Sequence, residues 1–174
     1  MRKLFFLFLI ALCGCGYTTR GFVYSSSKIY ITPTLNKINI TSESQRYSTY
    51  TSYPRLIENR FTNELINKFN IDGHLKVVSV EGDALKLSSE VTQYTREALR
   101  YTGTEDVNEQ RLRLYVLIKL TDSDGKEIKR REIVGETSFF LSGPNATSES
   151  QAQEALIIDT ARRVLEAVIE EWQT

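Results

Sequence analysis

The sequence predicts an α+β fold: a two-layer sandwich in which two amphipathic helices pack on one face of a mostly antiparallel four-stranded sheet. Two stretches, Tyr53–Asn70 and Ser148–Trp172, place apolar residues three or four positions apart, which is the period of an α-helix. Between them, Gln110–Leu120 alternates apolar and polar residues, as an antiparallel strand with one buried face does. Because each amphipathic element must bury its apolar side, we expect two packed layers.

The composition excludes several classes of function. The chain has 174 residues, of which 41% are hydrophobic and 25% are charged, and this suits one domain with a buried core. Basic and acidic residues both number 22, so the protein lacks the overall positive field that holds nucleic acid. One His and two Cys offer too few ligands for a zinc or thiolate site. We therefore predict no nucleic-acid partner, no metal and no cofactor.

Residues 1–14 have the pattern of an export signal. Arg2 and Lys3 precede Leu4–Leu12, an apolar run of nine residues. A transmembrane helix needs about 20 residues, so this run is too short to span a bilayer. A buried N-terminal helix is the less favoured alternative.

The end of the signal carries a lipid attachment motif. Leu12-Cys13-Gly14-Cys15 resembles the bacterial lipobox, in which a Cys after a small residue is acylated and becomes the first residue of the mature chain. Only Cys15 fits, and two or more acyl chains on it would give stable membrane anchoring. Gly16 follows in place of the Asp that favours inner-membrane retention, so the motif implies the outer membrane. We predict a signal peptide (1–14), a lipidated tether (15–27) and one domain (28–174).

The segments before the first helix are short. Lys28–Ile40 alternates weakly and predicts a strand, in which Pro33 indicates a strand end or a sheet edge. Residues 41–52 are rich in Ser, Thr and Tyr and are expected to form a loop.

The first helix is predicted over Tyr53–Asn70. Ser52 is the expected N-cap, and Pro54 falls in the first turn, where its missing N–H does no harm. Asp72-Gly73 ends the helix. Its inner face is formed by apolar residues four positions apart: Ile57, Phe61, Leu65 and Phe69.

Four strands are expected after this helix, the first of them doubtful. They are Leu75–Val80, Ala84–Tyr94, Gln110–Leu120 and Glu127–Phe140. The apolar parity of the last strand slips, which predicts a β-bulge near Lys129–Arg131.

The last helix begins with a possible capping box formed by Ser148 and Gln151. Its core-facing residues are spaced by three and four: Ile158, Ala161, Leu165, Val168 and Trp172.

The sequence contains no catalytic constellation. His74 lies in a turn with no nucleophile motif nearby, and Asp122-x-Asp124-Gly125 lacks the further acidic positions of a calcium loop. We predict that the protein is not an enzyme. An anchored hydrolase would require His74 to meet an acid and a Ser in a pocket.

Four arginines lie around the connection between two strands: Arg96, Arg100, Arg111 and Arg113. Such a cluster could pair with the phosphates of an anionic glycolipid through charge-assisted hydrogen bonds. The alternative is a solvated sheet face neutralised by Glu97, Glu105 and Glu109, and charge alone favours that alternative.

Several motifs occur in one order along the chain. They are Cys15-Gly16-Tyr17, Ile29–Asn36, Leu56–Phe69, Gly82–Leu87 and Leu112–Leu120 with the Asp122–Lys126 turn. Together this set resembles the lipopolysaccharide-assembly lipoprotein family, LptE. It departs from the family at Leu87-Ser88, where Leu-Gly is usual, and in the long insertion 41–52.

The resemblance implies a non-catalytic outer-membrane lipoprotein. Such proteins sit inside the lumen of the LptD β-barrel as a plug and bind lipopolysaccharide on its way to the outer leaflet. In this family, a basic residue near the loop that joins the second and third main strands contacts the glycolipid. That loop matches Glu97–Glu109, so Arg100 and then Arg96 are the best candidates, with Arg111 and Arg113 beside them. The alternative is an accessory lipoprotein of another envelope machine.

Overall fold

The computed structural model describes residues 27–38, 54, 56–101 and 106–169. The signal peptide, Cys15, most of the tether, the loop 41–52, the cap at Ser52 and the inner-face Trp172 lie outside these residues. The described elements are β1 (Lys28–Ile31), β2 (Leu35–Asn36), α1 (Ile57–Asp72), β3 (Lys76–Val78), β4 (Leu85–Tyr101), β5 (Val107–Thr121), β6 (Glu127–Phe140) and α2 (Glu149–Ile169).

The sheet is mixed. Its order is β3-β1-β4-β5-β6, and β2 also pairs with β4. The strands β4, β5 and β6 form the predicted antiparallel meander, but β1 runs parallel to both β3 and β4. The α+β class with two helices is confirmed. The prediction of four mostly antiparallel strands is wrong, because β1, β2 and β3 have only two to four residues each, too few for their pairing direction to be read from the sequence.

Both helices pack on the same face of the sheet. The helix α2 contacts β5 and β6, whereas α1 contacts α2, β1 and β3. The core lies between these layers, and the opposite sheet face carries no helix in the described part of the chain. No helix in the described residues has the length and apolarity needed to cross a membrane.

The helix α1 has the inner face that the sequence predicts. Ile57, Phe61, Leu65 and Phe69 are fully buried. The helix begins four residues later than predicted, after Leu56, whose backbone is left-handed at φ 56°. It ends at Gly73, where a φ of 73° lets the backbone N–H donate to the Phe69 carbonyl at 3.1 Å.

The capping box of α2 is confirmed. The Ser148 N–H donates to Gln151 Oε1 at 3.0 Å, and the Gln151 N–H donates to Ser148 Oγ at 3.2 Å. The predicted inner face is wrong at Ile158, which is 39% exposed, because Leu156, two residues before it, is buried in its place.

The β-bulge in β6 falls one residue before the predicted segment. Leu120 pairs with Lys129 and Thr121 pairs with Glu127, so Ile128 has no partner on β5. From Lys129 onward the pairing of β6 is regular, and the exposed Ile128 accounts for the slip of apolar parity.

The two layers approach closely at Gly135 of β6. A Cβ added at this glycine would lie 1.9 Å from Thr160 Oγ1 of α2 and 2.8 Å from the Thr160 Cα. Thr160 is fully buried, and its hydroxyl donates to the Leu156 carbonyl at 2.6 Å. The backbone of β6 therefore packs directly against α2 at this position.

The variant Gly135→Ala is expected to lower the free energy of unfolding by about 1–3 kcal/mol, because the new methyl group forces α2 away from the sheet. Urea unfolding followed by circular dichroism measures this change. Ser138→Ala, on the exposed face of the same strand, is the control and should stay within about 0.5 kcal/mol of wild type. Equal stability of the two variants would contradict the close contact.

Candidate functional site

The hairpin of β4 and β5 extends past the helices at one end of the molecule. Its pairing continues to Arg100↔Glu109 and Tyr101↔Val107, where every residue of β4 from Glu97 onward is exposed. We call this projecting part, residues 97–101 and 106–111, the hairpin tip. It includes the described part of the loop that the sequence singles out.

Two irregularities in β4 decide which way its side chains point. Thr92 and Leu99 are skipped in the pairing with β5, and each skip reverses the alternation along the strand. Between the two skips, Tyr94 and Arg96 lie opposite Leu114 and Leu112, on the helix-covered face. After the second skip, Arg100 lies opposite Glu109 on the uncovered face.

The four candidate arginines are therefore divided between the two faces of the sheet. Arg100, Arg111 and Arg113 share the uncovered face, and Arg96 lies on the other side against α2. The sequence gives no sign of this separation, because the strand alternation is broken by pairing geometry rather than by a local motif.

Arg96 forms a polar cluster where the core ends. Its Nε donates to Gln110 Oε1 at 2.6 Å, and its Nη1 lies 3.2 Å from Glu149 Oε2 in the first turn of α2. The side chain of Arg96 is 17% exposed. Burial raises the pKa of the neighbouring Tyr94 to about 12; the Glu149 carboxylate adds to this shift, and Arg96 opposes it.

On the uncovered face, Arg100 is held only loosely. Its side chain is 65% exposed, and its Nε lies 3.6 Å from Glu109 Oε2. The guanidinium carbon stands 5.9 Å from the centre of the Phe140 ring, within the range of a cation–π contact. The contact is long and Arg100 faces solvent, whereas the Glu109 side chain is only 14% exposed, so the guanidinium keeps donors open to a further anion.

The other two arginines of this face differ in whether glutamates already hold them. Arg113 is held by Glu97 at 2.9 Å and by Glu136 at 3.3 Å, and hydrogen bonding to Glu136 raises the pKa of its guanidinium. Arg111 stands between Glu97 and Ser138, and among the described residues it forms no ion pair.

Three apolar side chains at this end of the molecule are exposed. Leu99 is 38% exposed, Tyr101 60% and Leu141 42%. The Leu141 N–H donates to the Asn108 carbonyl at 2.9 Å, which fixes the chain after β6 against the tip. This end of the molecule thus carries both arginines and exposed apolar side chains.

The described residues hold no group of three or more metal-binding side chains. His74 is half exposed, and its Nδ1 lies 2.7 Å from Asp72 Oδ2 within the same turn. Asp122 accepts the Ser123 N–H at 2.7 Å, and its own N–H donates to the Lys126 carbonyl, as in a plain hairpin turn.

A shallow groove lies between β6 and the C-terminal half of α2. Its volume is about 410 Å³, and it is lined by residues 131–134, Arg163, Glu166 and Ala167. Its lining contains no Ser, Thr, Cys or His. Asp159, one turn before Arg163, accepts the Glu136 N–H at 3.1 Å and binds both Arg162 and Arg163. The contact with Glu136 joins α2 to β6, whereas the two arginine contacts lie within α2.

Comparison with known proteins gives one family. The family model described as "LptE: Lipopolysaccharide-assembly" matches residues 35–171. No curated protein sequence matches the chain significantly.

Solved structures share the fold at low sequence identity. The uncharacterized lipoprotein B of Nitrosomonas europaea is 18% identical with a TM-score of 0.54, covering 88% of this chain and 90% of that one. The minor lipoprotein of Acinetobacter baumannii is 20% identical with a TM-score of 0.51, covering 84% and 94%. The hypothetical protein CT253 of Chlamydia trachomatis is 12% identical with a TM-score of 0.51, covering 84% and 100%.

Proposed function

We propose a function from one premise: this chain belongs to the LptE lipopolysaccharide-assembly family. The match confirms the resemblance predicted from the ordered motifs, and it supports a role as a lipopolysaccharide-assembly lipoprotein of the Gram-negative envelope. We infer that the chain assembles with an LptD-type β-barrel in the outer membrane, plugs it, and binds lipopolysaccharide during delivery to the outer leaflet. In this role the protein binds and positions its ligand and catalyses no reaction.

The hairpin tip is the surface that supports lipopolysaccharide binding. Lipopolysaccharide combines phosphate groups with acyl chains, and the tip combines Arg100 and Arg111 with the exposed Leu99 and Tyr101. Guanidinium groups form strong, charge-assisted hydrogen bonds with phosphate. Since the contact between Arg100 and Glu109 is long and Arg100 faces solvent, a phosphate group can bind the guanidinium from the solvent side. Arg113 already pairs with two glutamates and would therefore contribute less to binding.

The uncovered sheet face supports contact with a barrel lumen. Several of its charges are paired within the chain, as in Lys119 with Glu127 at 3.2 Å and Arg113 with Glu136. The lumen of an outer-membrane barrel is polar. Such paired charges can lie against a polar wall without becoming isolated.

The lipid anchor would leave the domain at the end opposite the tip. The strand β1 runs parallel to β4 and pairs with its first residues, and the Ser27 carbonyl accepts the Lys76 N–H there. A strand of 17 residues such as β4 is about 50 Å long when extended. We therefore propose that the tether 15–27 holds one end of the domain at the membrane, while the tip reaches away from it.

Affinity purification of the tagged full-length protein from its own outer membrane in mild detergent tests the partner. We expect a roughly equimolar large β-barrel of the LptD class to co-purify. A barrel of another class would favour the alternative, an accessory lipoprotein of a different envelope machine. An acylated protein that brings no barrel with it would refute the translocon role.

The variant Arg100→Glu should weaken lipopolysaccharide binding by about tenfold or more, because it removes a charged donor and adds a repelling carboxylate. Binding to the detergent-solubilised protein is measured by titration, and circular dichroism checks the fold. Arg130→Glu is the matched control, since Arg130 is exposed near the start of β6, at the far end of the sheet. If the two variants weaken binding equally, or if neither does, the tip is not the lipopolysaccharide site.

The variant Cys15→Ala should leave the precursor uncleaved and unacylated, since the lipobox requires the thiol. Mass spectrometry of the purified protein reads both outcomes, and membrane fractionation reads the location. Cys13→Ala is the matched control and should be processed normally. An acylated Cys15→Ala product in the outer membrane would refute the lipobox assignment.

A further inference from the structure

The hairpin tip leaves the body of the domain beyond a short segment of β4 that contacts α2. The segment between Thr92 and Leu99 is bounded on each side by an irregularity in pairing with β5. Such irregularities bend a strand and increase its local twist. Beyond Leu99 the hairpin has no helix beneath it. The angle at which it leaves the body is therefore set by whatever fixes the segment that contains Tyr94 and Arg96.

Two side chains join this segment to the rest of the molecule: Tyr94 packs against the core, and Arg96 makes the polar contacts. Arg96 reaches Gln110 on β5 and Glu149 in the first turn of α2, so it touches three elements: its own strand, the neighbouring strand and the helix. Gln110 is itself buried, at 3% exposure, and lies at the last covered position of β5. Arg96 thus occupies the corner at which the core ends and the tip begins.

The position of Arg96 is unsuited to direct contact with a ligand at the tip surface. Arg100 and Arg111 point from the opposite face of the sheet, with the backbone of β4 between them and Arg96. The side chain of Arg96 is 17% exposed, against 65% for Arg100. Its carboxylate partner also lies near the N-terminus of α2, where a negative charge is stabilised by the helix dipole.

We propose that Arg96 is a positioning residue: together with Glu149 it holds the hairpin tip at a fixed angle to α2, so that Arg100 and Arg111 face the ligand together. This inference rests on the proposed lipopolysaccharide site at the tip. It assigns to Arg96 a role other than the direct glycolipid contact expected from the sequence. A ligand with two phosphate groups would depend on it most, because two fixed cations must meet two anions at once.

A cycle of substitutions distinguishes positioning from direct contact. We expect Arg96→Gln and Glu149→Ala each to weaken lipopolysaccharide binding by about fivefold, and the double variant to bind no worse than either, since both remove one shared contact. Direct contact by Arg96 predicts a different result. Glu149→Ala would then leave binding unchanged or strengthen it, because it frees the guanidinium, and that outcome would overturn the proposal.

A second ion pair that involves α2 serves as the control. Arg60 of α1 and Glu154 of α2 form an exposed ion pair that joins the two helices. We expect Arg60→Gln and Glu154→Ala to leave lipopolysaccharide binding unchanged. A loss equal to that of the Arg96 and Glu149 variants would mean that any weakening of helix contacts suffices, and this would overturn the specific role of Arg96.

Hydrogen exchange of the free protein tests the same inference without a ligand. In Arg96→Gln and Glu149→Ala, backbone amides of residues 97–101 and 106–110 should exchange faster, while those of Leu112–Leu120 keep their protection. Unchanged exchange at the tip would overturn the proposal. If the wild-type protein fails to bind lipopolysaccharide, the proposed function fails, and the exchange data still decide whether Arg96 fixes the tip.

Discussion

The fold depends on one row of side chains along β5. Five residues on its inner face, Leu112, Leu114, Val116, Ile118 and Leu120, are all fully buried. Burial of each contributes about 1.5–3 kcal/mol before the entropy cost, so the row contributes roughly 10 kcal/mol, which is comparable with the net stability of a whole domain. Since β5 pairs with β4 on one side and β6 on the other, this row also fixes the register of the meander. A slip of one residue would turn all five side chains toward solvent.

The end of that row determines where the candidate site begins. The next inner position after Leu112 is Gln110, a buried amide that needs a hydrogen-bond partner. Arg96 supplies the partner, and Glu149 neutralises Arg96 in turn. The core therefore closes with a polar cluster rather than with exposed apolar side chains. Beyond it, β4 and β5 remain paired by backbone hydrogen bonds without a helix beneath them, and this allows the tip to project.

Local patterns in the sequence predict the elements that bury a regular stripe. The alternation of β5, the four-residue spacing in α1 and the Ser148–Gln151 box each appear as expected. What the sequence does not predict is set by pairing between distant residues. The short parallel strands have too few residues for their pairing direction to be read. The irregularities at Thr92 and Leu99 arise only in the pairing of β4 with β5. Four arginines that look like one cluster along the chain therefore lie on two faces.

The arginines of the uncovered face differ in how many carboxylates hold them, and this difference determines which of them can bind an anion. Arg113 is held by two carboxylates, Arg100 by one at long range, and Arg111 by none among the described residues. With Glu97, Glu109 and Glu136 beside them, these three arginines are balanced in charge. Such a surface attracts anions weakly at a distance. In the proposed role it would select at contact, because a ligand with closely spaced negative charges competes best with the carboxylates, and the exposed Leu99, Tyr101 and Leu141 would favour one that also carries apolar groups.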